Sequence, residues 1–205
     1  MFGLRQLRPL LVVPLLMMPV TGFAIDSAFV DKCFHTPFHL YLTPVEAWQM
    51  KQQDPDAVLF IDVRTRAEVQ TVGFTEYADA NIPVMFQPGS YDWKADTKDP
   101  QAGQFKKVRN EDFSKAVDKL VESRGLDRSA HVIVMCAAGK RSTAAAKALH
   151  KAGYSRVYNL YEGFEGVKAS HGYFKGQPVV NGWKNAALPW GYRLPASKMY
   201  FNYEP

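Results

Sequence analysis

The stretch from His131 to Gly153 constrains this chain more than any other. Val132 to Met135 is a short apolar run without polar interruption, which suits a strand buried on both faces. From Arg141 to Lys151 the residues are mostly strong helix formers, and Gly153 is placed to stop the helix. Between the two lie Cys136 to Arg141. A thiol therefore stands at the carboxyl end of a buried strand and faces the amino end of a helix. Free backbone N–H groups and the helix dipole favour negative charge there. Lys140 and Arg141 add full charges, and all of these favour a thiolate and draw anions to it. Ala137, Ala138 and Gly139 keep bulk out of the loop, so its backbone can curl around the sulfur, and Gly139 takes a positive φ at little cost. A buried structural cysteine would explain Cys-Ala-Ala alone. It would not explain a glycine, two cations and a helix start directly after the thiol.

The elements around this unit alternate. Thr43-Pro44-Val45-Glu46 combines an N-cap, a proline at the first helical position and a capping box, predicting a helix to about Gln53 that Asp54-Pro55-Asp56 ends. Ala57 to Val63 reads as a strand, apolar until Asp62, whose carboxylate must be paired if buried; Arg64 is the nearby cation. Thr65 to Gln70 reads as a short helix capped by Thr65 and Glu68. Asn110-Glu111-Asp112 is expected to open another helix, with Phe113, Ala116, Val117, Leu120 and Val121 as its apolar stripe and Gly125 at its end. A strand over Arg156–Asn159 and a short helix near Phe164 to Ala169 complete the pattern. Strands alternating with helices imply an α/β domain: three layers, a central mostly parallel sheet, and helices on both faces.

The ordered motifs resemble those of the rhodanese-like sulfurtransferases. Cys136-x-x-Gly139-x-Arg141-Ser142 after a buried strand resembles that family's active-site loop. Val58-Leu-Phe-Ile-Asp62-Val-Arg64 with Glu68 resembles its first core strand and Asp-x-Arg…Glu signature. Ala80-Asn81-Ile82-Pro83 resembles the return to the sheet, and Val157-Tyr158-Asn159-Leu160 with Gly163 and Gly166 the last strand and its turn. The resemblance covers about residues 43 to 190. One departure is Gly73-Phe74-Thr75-Glu76-Tyr77, where many members carry Gly-His-Ile. The resemblance implies sulfur transfer from thiosulfate or a persulfide donor to a thiol or protein acceptor, through a persulfide on Cys136. It implies an anion cradle from the N–H groups of Ala137, Ala138, Gly139, Lys140, Arg141 and Ser142, with Arg141 and Lys140 orienting a small anionic donor. Asp62, Arg64 and Glu68 are implied to be structural supports, and no metal or organic cofactor is needed. Two alternatives stand beside this. A persulfide carrier or partner-binding module would use the same loop without turning over a small donor. Cysteine-dependent phosphatases and arsenate-type enzymes also place a Cys and an Arg around an anion loop, but theirs is typically one residue longer than the Ala137–Lys140 segment here.

The ends of the chain carry their own signals. Arg5 and Arg8, the apolar run from Leu10 to Val20 and Gly22-Phe23-Ala24 form the three parts of a secretory signal peptide, so residues 1–24 are expected to be removed and the protein to be exported, to the periplasm. The run is short for a membrane span, and Pro14 and Pro19 interrupt it. No span is expected after cleavage. The remaining length suits one domain, 43–190, preceded by an arm, 25–42, and followed by an aromatic tail, 191–205. The formal net charge of +5 falls further once Arg5 and Arg8 are removed, and no dense basic cluster is present, so nucleic acid is not an expected partner. Cys33, in the arm, is the only other cysteine. A Cys33–Cys136 disulfide would silence the nucleophile, so Cys33 is expected to be idle or structural, with a relay of sulfur as the second choice. Cys33-Phe34-His35 offers two metal ligands without a third. Residues 86–109 form a long polar loop with Tyr91, Trp93 and Phe105, expected either to wall the active-site mouth or to pack on itself. Tyr173, Phe174, Trp183, Trp190, Tyr192, Tyr200, Phe201 and Tyr203 are expected to pack across the domain or a partner.

Overall fold

A computed structural model describes residues 25–93 and 103–201; the expected signal peptide lies outside them, as do 94–102 and 202–205 with Tyr203. The arm, expected to precede the first regular element, instead supplies one. It winds through two 3-10 turns, Ser27–Phe29 and Lys32–Phe34, and then forms strand β1 (Tyr41–Leu42). Tyr41 and Leu42 are fully buried, and β1 is too short for a period-2 pattern to reveal it. Helix α1 (Pro44–Gln53) starts with the expected capping box, Thr43 with Glu46, and strand β2 (Val58–Asp62) follows, buried throughout. Helix α2 (Arg66–Val72) has a second capping box, Thr65 with Glu68, and leads to β3 (Ala80–Asn81).

The described parts of the 86–109 excursion carry short strands. Strands β4 (Met85–Phe86), β5 (Tyr91–Asp92), β6 (Gln104–Phe105) and β7 (Val108–Arg109) fold it back on itself, β4 antiparallel to β7 and β5 to β6. Tyr91 packs edge-on against both Trp93 and Phe105, so the aromatic residues serve the excursion itself. Helix α3 (Phe113–Ser123) begins later than expected. Asn110 closes a turn instead: its Oδ1 accepts the Asp112 N–H and its Nδ2 donates to the Pro83 carbonyl, so the acids lie before the helix rather than in its first turn.

Strand β8 (His131–Met135), helix α4 (Lys140–Lys151) and strand β9 (Arg156–Leu160) complete the domain. The sheet order is β1-β9-β8-β2-β3, every pairing parallel. Alternate residues of the central strands face opposite layers. Leu59, Ile61, Val132 and Val134 pack with Phe113, Val117, Ala145 and Leu149 of α3 and α4. Val58, Phe60, Ile133 and Met135 pack with Ala47 of α1, Val69 of α2 and the buried Trp183. This is the expected three-layer α/β domain. Among the described residues no helix is long and apolar enough to cross a membrane.

The short helix expected near Phe164 to Ala169 does not form. The N–H groups of Phe164, Glu165 and Gly166 reach across to the carbonyls of Cys136 and Ala137 instead of closing helical turns. The tail packs back over the domain, as expected for part of it. Phe74 and Gly191 form an antiparallel bridge, Met199 a parallel one with Asn81, and Tyr200 stacks on Phe86 in the core. Tyr173, Phe174, Tyr192 and Phe201 remain exposed.

Candidate active site

Cys136 follows the last residue of β8, near the middle of the sheet, and is only 1% exposed. Its neighbours up to Gly139 form a tight turn, and Gly139 stands in the left-handed region at φ +84° as the residue before α4. A side chain there would meet the Tyr161 carbonyl and the Phe34 ring, so glycine is required by both φ and space. The loop rests on the turn after β9. The Phe164 N–H donates to the Cys136 carbonyl at 2.7 Å, and Glu165 and Gly166 donate to the Ala137 carbonyl at 2.9 and 3.1 Å. With these carbonyls engaged below, the N–H groups from Ala137 to Ser142 find no acceptor among the described residues. Unclaimed backbone donors around a thiol at a helix start make an anion cradle. The Ser142 hydroxyl lies 3.5 Å from the Cys136 Sγ and 2.8 Å from the Gly139 carbonyl, so its one proton can serve either acceptor.

The charged residues of the loop stand in different surroundings. Lys140 is exposed at the rim of an open cleft of about 470 Å³ that also contains Cys136, Ala137, Ala138 and Arg141. Arg141 is not free to grip an anion with its whole guanidinium: it is clamped by Glu68, Nη1 donating to Oε2 at 2.6 Å and Nη2 donating to Oε1. Glu68 Oε2 also accepts from the Thr65 N–H and hydroxyl. Burial alone would raise the Glu68 carboxyl, but Arg141 and the Thr65 donors outweigh it and hold it at about 2. Burial likewise works against the Arg141 charge, and Glu68 overrides it, so the guanidinium sits above its usual range. Glu68 therefore supports the loop directly, across the sheet end, as well as capping its own helix.

Asp62 and Arg64 are fully buried and paired, Arg64 Nη2 donating to Asp62 Oδ2 at 2.6 Å. Arg64 also donates to the Gly73 carbonyl and lies 3.8 Å above the Phe164 ring. Since Phe164 holds the Cys136 carbonyl, the pair supports the loop from underneath and contacts no part of the cleft. Cys33 is free and exposed, and no disulfide joins it to Cys136. The His35 Nε2 lies 2.9 Å from the Val30 carbonyl, and no cluster of three or more potential metal ligands forms among the described residues.

Sequence reasoning missed the far wall of the cleft. Phe34, Glu165 to Lys168 and Pro178 line it, and none of the described residues of the 86–109 excursion does. Phe34 is fixed there because its carbonyl accepts from Thr143 Oγ1 and Asn159 Nδ2, both on buried residues. The polar Asn159 among the apolar residues Val157, Tyr158 and Leu160 was the available signal, since a buried amide needs a partner.

The rhodanese-like domain profile matches residues 43–170, from the start of α1 to beyond the turn that carries the loop. This chain belongs to the rhodanese-like domain family. Three rickettsial sequences are similar to it at 27% identity over 139 residues, 67% of this chain and 85% of each relative: "Uncharacterized protein RC0915" of Rickettsia conorii, "Uncharacterized protein in dnaA 5'region" of Rickettsia montanensis, and "Uncharacterized protein RP600 homolog" of Rickettsia rickettsii. The crystal structure of Rv0390 from M. tuberculosis superposes with a TM-score of 0.52 at 26% identity, covering 74% of this chain and 96% of that one.

Proposed function

We propose that this rhodanese-like protein is an exported sulfurtransferase that carries sulfane sulfur as a persulfide on Cys136. The observation that carries this reading is the short cradle: four residues between Cys136 and Arg141, with unclaimed N–H donors beside the sulfur and a cation, Lys140, at the mouth. The Cys136 thiolate attacks the outer sulfur of thiosulfate. The S–S bond of the donor breaks, sulfite leaves with the electron pair, and a Cys136 persulfide anion remains. Loop N–H groups spread its charge. A thiophilic acceptor then attacks the terminal sulfur, and Cys136 leaves as thiolate. With cyanide the product is thiocyanate, and no external oxidant or reductant enters the cycle. Cradle size favours one sulfur atom over a tetrahedral phosphate, which places a phosphatase reading behind this one.

One observation favours a second reading, a carrier that is loaded only by another protein. Glu68 engages both terminal nitrogens of Arg141, so a free dianion meets Lys140, with Lys168 on the far wall, rather than Arg141 as its cations. Mass spectrometry after incubation with thiosulfate, together with sulfite and thiocyanate assays, tests both. One added, cyanide-labile sulfur on Cys136, lost in Cys136→Ser, is the expected result. A serine hydroxyl without a general base cannot replace the thiolate. Loading from a protein persulfide but never from thiosulfate would select the carrier. Aryl phosphate hydrolysis without loading would overturn both.

A further inference from the structure

We propose that the exposed stripe of helix α4, with the second cleft beside it, docks an acidic segment of the protein that exchanges sulfur with Cys136. The inference rests on the persulfide reading above, but the surface stands on its own geometry. Lys140, Ala144, Lys147 and Lys151 recur at i, i+4, i+7 and i+11, and all are exposed. At 3.6 residues per turn they fall within a strip about 60° wide, running about 16 Å along the helix axis. One end of the strip, Lys140, is at the mouth of the Cys136 cleft. The other end enters a separate cleft of about 530 Å³, rimmed by Arg109, Lys147 and Lys151, with Met85 and Ala148 supplying apolar wall. Glu111 is the one acid among its lining residues.

The side chains of Arg109, Lys147 and Lys151 make no ion pair or hydrogen bond with any described residue. Elsewhere Lys51, Arg64, Arg124, Arg128 and Arg141 each hold a carboxylate. Lys151, in the last turn of α4, answers the helix dipole; Lys147, mid-helix, has no such reason to be there. Lys140, Lys147 and Lys151 are strung over about 16 Å of helix beside a partly apolar cleft, so together they suit a peptide segment rather than one small anion. The segment they fit carries carboxylates flanking a few short apolar side chains. Ala144, between Lys140 and Lys147, leaves the helix surface low enough for a chain to lie along it. A partner seated this way places its sulfur about one helix length, roughly 16 Å, from its acids, over Cys136.

A helical peptide with a glutamate face, two alanines and one terminal cysteine spaced to that distance tests this, beside otherwise identical peptides carrying glutamine or lysine. Fluorescence anisotropy with the Cys136→Ser protein reads binding without any sulfur chemistry. The glutamate peptide should bind about tenfold more tightly than the glutamine peptide at low salt, and salt should erase the difference. Lys147→Glu combined with Lys151→Glu should erase it too, while thiosulfate:cyanide turnover stays at the wild-type level. On the loaded wild-type protein, transfer to the glutamate peptide should be faster by a similar factor. Equal binding of glutamate and glutamine peptides, a preference that survives the double substitution, or tighter binding of an oligonucleotide of equal charge would each overturn the proposal. Failure of Cys136 to load from either thiosulfate or a protein persulfide would instead strike the sulfur-transfer reading, and the anisotropy result would still decide this one.

Discussion

Glu68 shows how much one residue can carry beyond its local pattern. The capping box with Thr65 was legible because its partners stand three residues apart. The clamp on Arg141 joins residues 73 positions apart, and no local pattern reports a contact that only the sheet brings about. The clamp has a pH signature. The folded carboxyl, held at about 2, lies below its ordinary value of 4.5, so its stabilisation is fully present above that ordinary value. It is lost as the pH falls through the folded value. Glu68→Gln should therefore cost on the order of 2 kcal/mol at neutral pH, since it leaves a largely buried guanidinium facing a neutral amide. The cost should shrink steadily from about pH 4.5 downward. Urea unfolding of both proteins at pH 7 and near pH 3 checks this; a cost that is the same at both would refute the clamp's electrostatic role.

At the scale of elements, the strand, loop and helix around Cys136 were legible because each announces itself locally: an apolar run, small residues, then helix formers ended by Gly153. The turn that supports the loop was not. Phe164 to Ala169 reads as a short glycine-flanked helix, yet the N–H groups of Phe164, Glu165 and Gly166 serve the Cys136 and Ala137 carbonyls from another element. Gly163, at φ +70°, comes so close that an added Cβ would stand 2.5 Å from the Ala137 carbonyl. Gly163→Ala should thus displace the catalytic loop and lower thiosulfate:cyanide turnover at least about tenfold, the effect of a misplacement worth roughly 1.4 kcal/mol. Gly172→Ala is the control. Gly172 has a similar φ of +76° but open space around it, so that variant bears the backbone strain without touching the loop. Equal activity in the two variants, with both folded by near-ultraviolet circular dichroism, would show that the turn does not position the loop.

For the whole molecule, the arm is the part whose role the sequence concealed. Its elements are two or three residues long, too short for any period, and its anchoring atoms are backbone carbonyls. In the fold it closes one edge of the sheet through Tyr41 and Leu42 and covers one side of the active-site mouth through Phe34. The Ile25 N–H bonds to the Tyr41 carbonyl, so order reaches back to the residue that follows the proposed signal cleavage. The proposed cleavage after Ala24 would keep the whole arm, and on that proposal the native protein should begin near Ile25. A chain beginning at Thr36 would keep β1 but lose Phe34, whose carbonyl accepts from Thr143 and Asn159 and whose ring lies against the Gly139 turn. Asn159 Nδ2 still donates to Thr143 Oγ1 and Thr143 Oγ1 to the Gly139 carbonyl, so losing the Phe34 carbonyl should cost only about 1 kcal/mol, while the Cys136 turn loses its cover. The shortened protein should unfold at lower urea concentration and load sulfur from thiosulfate more slowly, whereas a chain beginning at Ile25 should match the native protein in both measurements. Phe34→Ala separates the two effects, because it keeps the carbonyl and removes the ring. It should restore most of the stability while leaving loading slow, and full loading in that variant would assign the arm to folding alone.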